Sequence, residues 1–111
     1  MREPEFRLFY RIVKSNPPTI WDFRSGKDKG AVEPSDAERR EVWDGLSVFS
    51  TLSQARRKRR TSPGIGSYIA TLRVPTNGSV RIQRTLRDAG HHTLGAEPEE
   101  LRRLVLSVEL A

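Results

Sequence analysis

The run Phe6 to Val13 constrains this chain more than any other segment. Phe6, Leu8, Tyr10 and Ile12 alternate onto one face, with Arg7, Phe9, Arg11 and Val13 on the other. A period of two predicts a strand. Because the second face also carries Phe9 and Val13, the strand is expected inside a sheet, with both faces covered. Asn16-Pro17-Pro18 stops it. Near the other end Leu104, Leu106, Val108 and Leu110 alternate again and predict a closing strand.

Between these strands the chain is punctuated by helix caps and turns. Thr19, followed three residues later by Asp22, opens a short helix through Ile20, Trp21 and Phe23. The segment SGKDKGAVEP, residues 25–34, is expected to be a loop, placed where a lid over a cleft would sit. Ser35-x-x-Glu38 starts a second helix that Gly45 ends, and Leu46 to Ser50 follows as a strand. Thr51-x-x-Gln54 caps a third helix, which runs into Arg56-Arg57-Lys58-Arg59-Arg60. SPGIG at residues 62–66 is a turn. Tyr68, Ala70, Leu72 and Val74 alternate into a strand. Asn77-Gly78 then predicts a tight hairpin, with a returning strand from Val80 to about Leu86. His91 to Leu94 reads as a short strand or turn. Pro98, Glu99 and Glu100 open a last short helix that ends on Arg102 and Arg103. Helices cluster in the first half and strands in the second. The prediction is an α+β fold: one small domain, residues 1–111, with a mostly antiparallel five- to six-stranded sheet flanked by short helices.

Charge narrows the partners. There are 20 Lys and Arg against 14 Asp and Glu, a net charge of +6, and 16 of the 20 cations are arginine. The planar arginine fork suits phosphate and carboxylate, so anionic partners are favoured. There are no cysteines, which excludes disulfides, thiolate metal sites and cysteine nucleophiles and fits a reducing compartment. MREPEFRLFYRIV has neither a long apolar block nor the pattern of a signal peptide. A cytoplasmic protein without membrane attachment is expected.

Several groups could carry chemistry. The Leu46–Ser50 strand hands Ser50 and Thr51 to a helix N-terminus, where hydroxyls and free backbone N–H groups suit an anion. Arg11 sits mid-strand, where a charge is costly unless it is paired or faces a cleft. Opposite the exit of the Leu46–Ser50 strand it would form a phosphate clamp with that helix terminus. The alternative is that Arg7 and Arg11 line the solvent face of an edge strand. His91 and His92 are adjacent, so on a strand they point to opposite faces and cannot readily chelate one metal. No metal site is expected; His92 is taken as the residue acting near the ligand. Arg56, Arg57, Lys58, Arg59 and Arg60 would contact a nucleic-acid backbone, or simply complete a solvated helix C-terminus. No G-x-S-x-G, P-loop or dinucleotide fingerprint is present. Glu109, the only acidic residue inside a predicted strand, is expected to be exposed.

The FYRIV strand (Phe9–Val13), the later WDGLSVFSTLSQA (Trp43–Ala55) and the IATLRVP strand ending at Pro75 together resemble the ADP-ribosyltransferase-like fold. The nearest flavour is that of the RES-domain toxins and RNA 2′-phosphotransferases. In such proteins an early-strand Arg or His and a Ser, Thr or Tyr at a later strand exit hold a nicotinamide dinucleotide. The resemblance implies Arg11 for the first position and Phe49, Ser50 and Thr51 for the second, with NAD as cofactor. Phe49 stands where Tyr is frequent. The third position, usually glutamate, falls near Gly90-His91-His92-Thr93-Leu94, so histidine replaces the residue that stabilises the oxocarbenium-like state. The implied function is a nucleotide- or NAD-binding, toxin-like or defence enzyme of bacterial type, with Arg11, Ser50 and His92 as catalytic residues and a protein partner such as an antitoxin. Two rivals remain. One is a non-enzymatic nucleic-acid-binding module using Arg56–Arg60 with a basic hairpin of Arg73, Arg81, Arg84 and Arg87. The other is a protein–protein interaction domain on a degenerate transferase scaffold.

Overall fold

The computed structural model describes residues 5–85 and 90–111, apart from the side chain of Glu38. Six strands, β1 (Phe6–Val13), β2 (Leu46–Phe49), β3 (Tyr68–Pro75), β4 (Arg81–Arg84), β5 (His91–Gly95) and β6 (Val105–Leu110), form one sheet. Its order is β4-β5-β2-β1-β3-β6, with every pairing antiparallel. Three α-helices, α1 (Ala37–Trp43), α2 (Leu52–Thr61) and α3 (Pro98–Arg103), and two 3-10 turns, Ile20–Phe23 and Pro63–Ile65, complete the fold. The α+β class is therefore correct, and β1 is central, between β2 and β3.

Each face of the sheet has its own core. Phe9, Val48, Leu72, Val74 and Leu94 are buried on one face beneath Phe23 of the Ile20–Phe23 turn and Leu101 of α3. On the other face Ile12 and Ile69 meet Ala55 of α2, with Tyr10, Phe49 and Leu52 packed around them. This is why β1 needs apolar residues in both registers: it contributes to both layers.

The predicted hairpin at Asn77-Gly78 is a correction. Gly78 has φ +96 and the Ser79 N–H donates to Asn77 Oδ1 at 3.2 Å, so a tight turn is present. Yet β3 pairs with β1 and β6, whereas β4 pairs only with β5 at the far edge. An Asn-Gly pair specifies backbone φ, not the neighbour of the strand that follows. The turn starts a connection across the sheet. Arg73 on β3 and Arg81 and Arg84 on β4 are thereby separated, and no single basic hairpin exists; Arg87 lies outside the described residues. The Ser35–Glu38 capping box also involves a group outside them.

The Thr51 cap forms as expected, the Gln54 N–H donating to Thr51 Oγ1 at 3.2 Å. Asp22 does more than cap its own turn. It is buried, and its carboxylate accepts from the Lys14 N–H (2.9 Å), the Ser15 hydroxyl (3.0 Å) and the Thr19 N–H (3.0 Å). One carboxylate, itself buried, thus ties the end of β1 to the turn that follows and satisfies three donors at a partly buried edge. Replacing it strands those donors. Asp22→Ala is expected to lower the unfolding free energy by about 2–3 kcal/mol, read from urea melts of both proteins. A change below about 0.5 kcal/mol would show that the turn is held by packing alone.

Candidate functional site

Strands β1 and β2 are joined through a single residue pair, Tyr10 opposite Phe49, whereas β1 and β3 pair along their whole length. Beyond Tyr10 the two strands part. Arg11 fills the split. Its Nε donates to the Asp22 carbonyl at 3.1 Å and its Nη1 to the Ser47 carbonyl at 3.0 Å. A side chain thus takes a β2 carbonyl where strand pairing has stopped. Alternation assigns Arg11 to the Phe9 face, but the split lets its guanidinium line a cleft on the α2 side.

That cleft has a volume of about 490 Å³, in the size range of small-molecule sites, roughly 300–1,000 Å³. Arg11, Lys14, Lys29 and Lys58 give it four cations. Ile12, Phe49 and Ile65 form an apolar wall, and Ser47 and His91 supply polar groups. Among the described residues no carboxylate lines it. Lys29 comes from the glycine-rich loop, which is pinned to α1: Trp43 Nε1 donates to the Ala31 carbonyl at 2.9 Å, and Lys27 pairs with Asp44 at 3.6 Å. The loop predicted as a lid therefore contributes one wall of the cleft. Ile65 comes from the SPGIG turn. Gly66, next in sequence, allows the turn to lie against β1, because a Cβ there would collide with the Val13 carbonyl.

The electrostatics follow from burial. Desolvation pushes the Arg11 guanidinium down from its ordinary value to about 10, with the attraction of Asp22 acting the other way. Lys29 is also lowered, first by desolvation and then by the nearby charge of Arg11. Arg11 remains charged at neutral pH, held by carbonyl dipoles and without a carboxylate in ion-pair range among the described residues. A desolvated cation in that state gains from an anionic ligand.

The predicted site residues separate on inspection. Arg11 and Phe49 line the cleft, and the reading of Arg11 as a solvent-facing edge residue is set aside. Ser50 and Thr51 are engaged in the start of α2: both hydroxyls donate to Gln54 Oε1 (3.2 and 2.9 Å), and the Ser50 N–H donates to the Gly90 carbonyl at 2.8 Å. The clamp expected at that helix terminus is replaced by the helix's own cap. His92 faces the opposite core: its ring lies 5.1 Å from that of Phe9, and Nδ1 is 3.0 Å from the Gly90 carbonyl. His91 is the histidine in the cleft. Its Nε2 lies 3.1 Å from Ser47 Oγ, its Nδ1 2.7 Å from Thr85 Oγ1, and its ring meets Phe49 edge-on at 5.5 Å.

Ser47 was not anticipated. It sits between Leu46 and Val48, and a hydroxyl in the cleft-facing register of an otherwise apolar strand was the available signal. In the basic run, Arg56 pairs with Glu109 at 3.3 Å, both exposed, and Arg59 Nε donates to the Gly66 carbonyl at 3.3 Å. Lys58 alone of the five reaches the cleft. Among the described residues no group of three or more His, Cys, Asp or Glu side chains is placed to hold a metal, and no helix is long and apolar enough to cross a membrane. No protein-family model matches the chain, and no curated protein or solved structure matches it.

The cleft predicts a pH-dependent response to anions. Inorganic pyrophosphate should raise the thermal midpoint, by an amount equivalent to about 2.7 kcal/mol at a hundredfold excess over Kd. Above about pH 10, and below the ordinary arginine range, the unfolded chain binds the Arg11 proton and the folded one does not, so the Arg11 contribution to stability rises with pH there. Below about pH 10 the folded chain carries the full cost of the desolvated charge, and this is where an anion stabilises it. The midpoint shift should therefore hold through neutral pH and fade as pH rises through about 10, Lys29 losing its charge in the same direction. A shift unaffected by Arg11→Ala would place the anion elsewhere.

Proposed function

We propose that this protein binds the phosphates of a nucleotide, NAD first among them, in the Arg11 cleft. The observation that carries the reading is the desolvated Arg11 guanidinium at the β1–β2 split, ringed by Lys14, Lys29 and Lys58 and facing an apolar wall. Phosphates meet the cations, and a flat ring lies against Phe49 and Ile65. The neighbouring order β1-β2-β5 brings together the strands that carry, or lead into, the three site positions implied by the ADP-ribosyltransferase-like resemblance, which supports that reading. His91 lines the cleft from the segment where such transferases carry glutamate. The reaction that fits is cleavage of the nicotinamide–ribose bond, as in a toxin-like or defence enzyme of the cytoplasm.

Each side chain then has a task. Arg11 fixes the ligand's charge at the strand split, and its two carbonyl partners hold the fork rigid. Lys29, carried by the glycine-rich loop, closes the phosphate end. Among the described residues no carboxylate lines the cleft to balance positive charge at the ribose carbon, so turnover is assigned to Ser47 and His91.

A second reading has one observation in its favour. Lys58 belongs to both the cleft and the basic face of α2, so a nucleic-acid backbone along Arg57, Lys58 and Arg60 would run to the cleft mouth. Losing the basic hairpin weakens this rival, because Arg81 sits on the edge strand β4 while Arg73 sits on β3, with β5, β2 and β1 between them.

Calorimetric titration with NAD, alongside an assay for nicotinamide release, separates the two. Binding is expected for the wild type, is lost in Arg11→Ala, and falls about tenfold or more in Arg11→Lys, which cannot reach both carbonyls at once. Absence of NAD binding, with salt-sensitive RNA or DNA binding that drops on neutralising Arg57 and Lys58, would transfer the function to α2.

A further inference from the structure

We propose that Ser47 is a nucleophile activated by His91, and that it takes up the ribosyl group of the nucleotide held in the cleft. The choice of donor rests on the reading above. The activation of Ser47 rests on geometry alone.

Ser47 and His91 lie on adjacent antiparallel strands. Phe49 is directly opposite His91 and Ser47 opposite Thr93, so Ser47 and His91 form a diagonal pair on one face. Ser47 Oγ is 3.1 Å from His91 Nε2. On the far side of the ring, Nδ1 is 2.7 Å from Thr85 Oγ1, which lies 2.9 Å from Thr93 Oγ1. Thr85, His91 and Thr93 are all buried. A base within hydrogen-bond reach of a hydroxyl, itself oriented by a third group, is the arrangement that activates a serine. When Nδ1 donates to Thr85, Nε2 is free of its proton and accepts from Ser47.

Two further features separate this from an ordinary buried serine–histidine contact. Ser47 is anchored at both ends, its carbonyl receiving Arg11 Nη1 and its hydroxyl meeting His91. Both residues also line the cationic cleft, so the hydroxyl sits where an anionic ligand would be held. Arg11 therefore links ligand binding to the placement of the nucleophile.

In the step, Ser47 Oγ attacks C1′ of the nicotinamide-bearing ribose and forms a C1′–O bond. The C1′–N bond breaks, and its electron pair leaves with neutral nicotinamide. The serine proton passes to His91 Nε2 and from the imidazolium to water. The product is an O-glycosidically linked ADP-ribose on Ser47. Either water then releases it or the protein remains modified.

A fluorophosphonate tests the nucleophile without any nucleotide. Attack of Ser47 Oγ on phosphorus displaces fluoride, and the proton again goes to His91. Intact mass and peptide mapping of the whole chain should show one label, on Ser47. Labelling should be absent in Ser47→Ala, about a hundredfold slower in His91→Gln, and slowed less in Thr85→Val. Ser47→Ala removes only one oxygen, so it keeps the test valid even if His91→Gln does not fold. An unlabelled wild type, or the same labelling in Ser47→Ala, overturns the proposal. The same proteins are then incubated with NAD, and an added ADP-ribose unit on Ser47 is expected. A fluorophosphonate label without that adduct keeps the nucleophile and removes NAD as donor. Nicotinamide release at full rate from Ser47→Ala keeps the nucleotide reading and removes the nucleophile.

Discussion

The guanidinium of Arg11 is the interaction on which the rest of this structure depends. Two antiparallel strands joined at one pair would leave their remaining carbonyls and N–H groups exposed or unpaired. Arg11 takes the Ser47 carbonyl of β2 with one nitrogen and the Asp22 carbonyl with another. It therefore stands in for missing strand pairing and ties the Ile20–Phe23 turn to the middle of the sheet. Lysine has the charge but not the fork. Its single nitrogen could not hold two carbonyls in the same rigid geometry. This one side chain bridges the split in the sheet and lines the cleft beside it.

That arrangement has an energetic consequence. Arg11 is desolvated enough to lose proton affinity, and carbonyl dipoles compensate a full charge only in part. The Asp22 carboxylate attracts it but is hydrogen-bonded by Lys14, Ser15 and Thr19, and only the Asp22 carbonyl accepts from Arg11. The aspartate is used to build the turn and the arginine is left available to a ligand. Stability and binding are thus divided between the carboxylate and the carbonyl of one residue.

Most elements were legible because they rest on local signals. Alternation defined β1, β3 and β6, Thr51 with Gln54 defined the start of α2, and Pro98 the start of α3. Pairing was not local, and there the sequence misled: Asn77-Gly78 forms its tight turn, yet β4 pairs at the far edge. The histidines show the same limit on a smaller scale. A period of two separates His91 from His92, but both faces of β5 are buried, so nothing in the pattern says which face holds the cleft. Ser50 and Thr51 had the right chemistry and were consumed by the helix they start. Ser47 was concealed in an apolar strand, where a single hydroxyl reads as tolerated rather than used.

The location of the cleft follows from these same constraints. In a fully paired sheet the backbone polar groups satisfy one another, and side chains alternate into cores that exclude a ligand. A ligand site needs an opening with polar groups that are positioned yet not fully neutralised. The parting of β1 from β2 provides the opening, and Arg11 keeps it from collapsing. β5 then brings His91 beside Ser47 because it pairs with the other side of β2. Arg11, Ser47 and His91, the side chains placed nearest the proposed reaction, belong to strands. Lys14, Lys29 and Ile65 reach in from connections, two at the cationic end and one at the apolar wall. Chemistry is thereby assigned to the strands and much of the ligand's charge recognition to the connections, an arrangement that favours precise placement of the reacting hydroxyl.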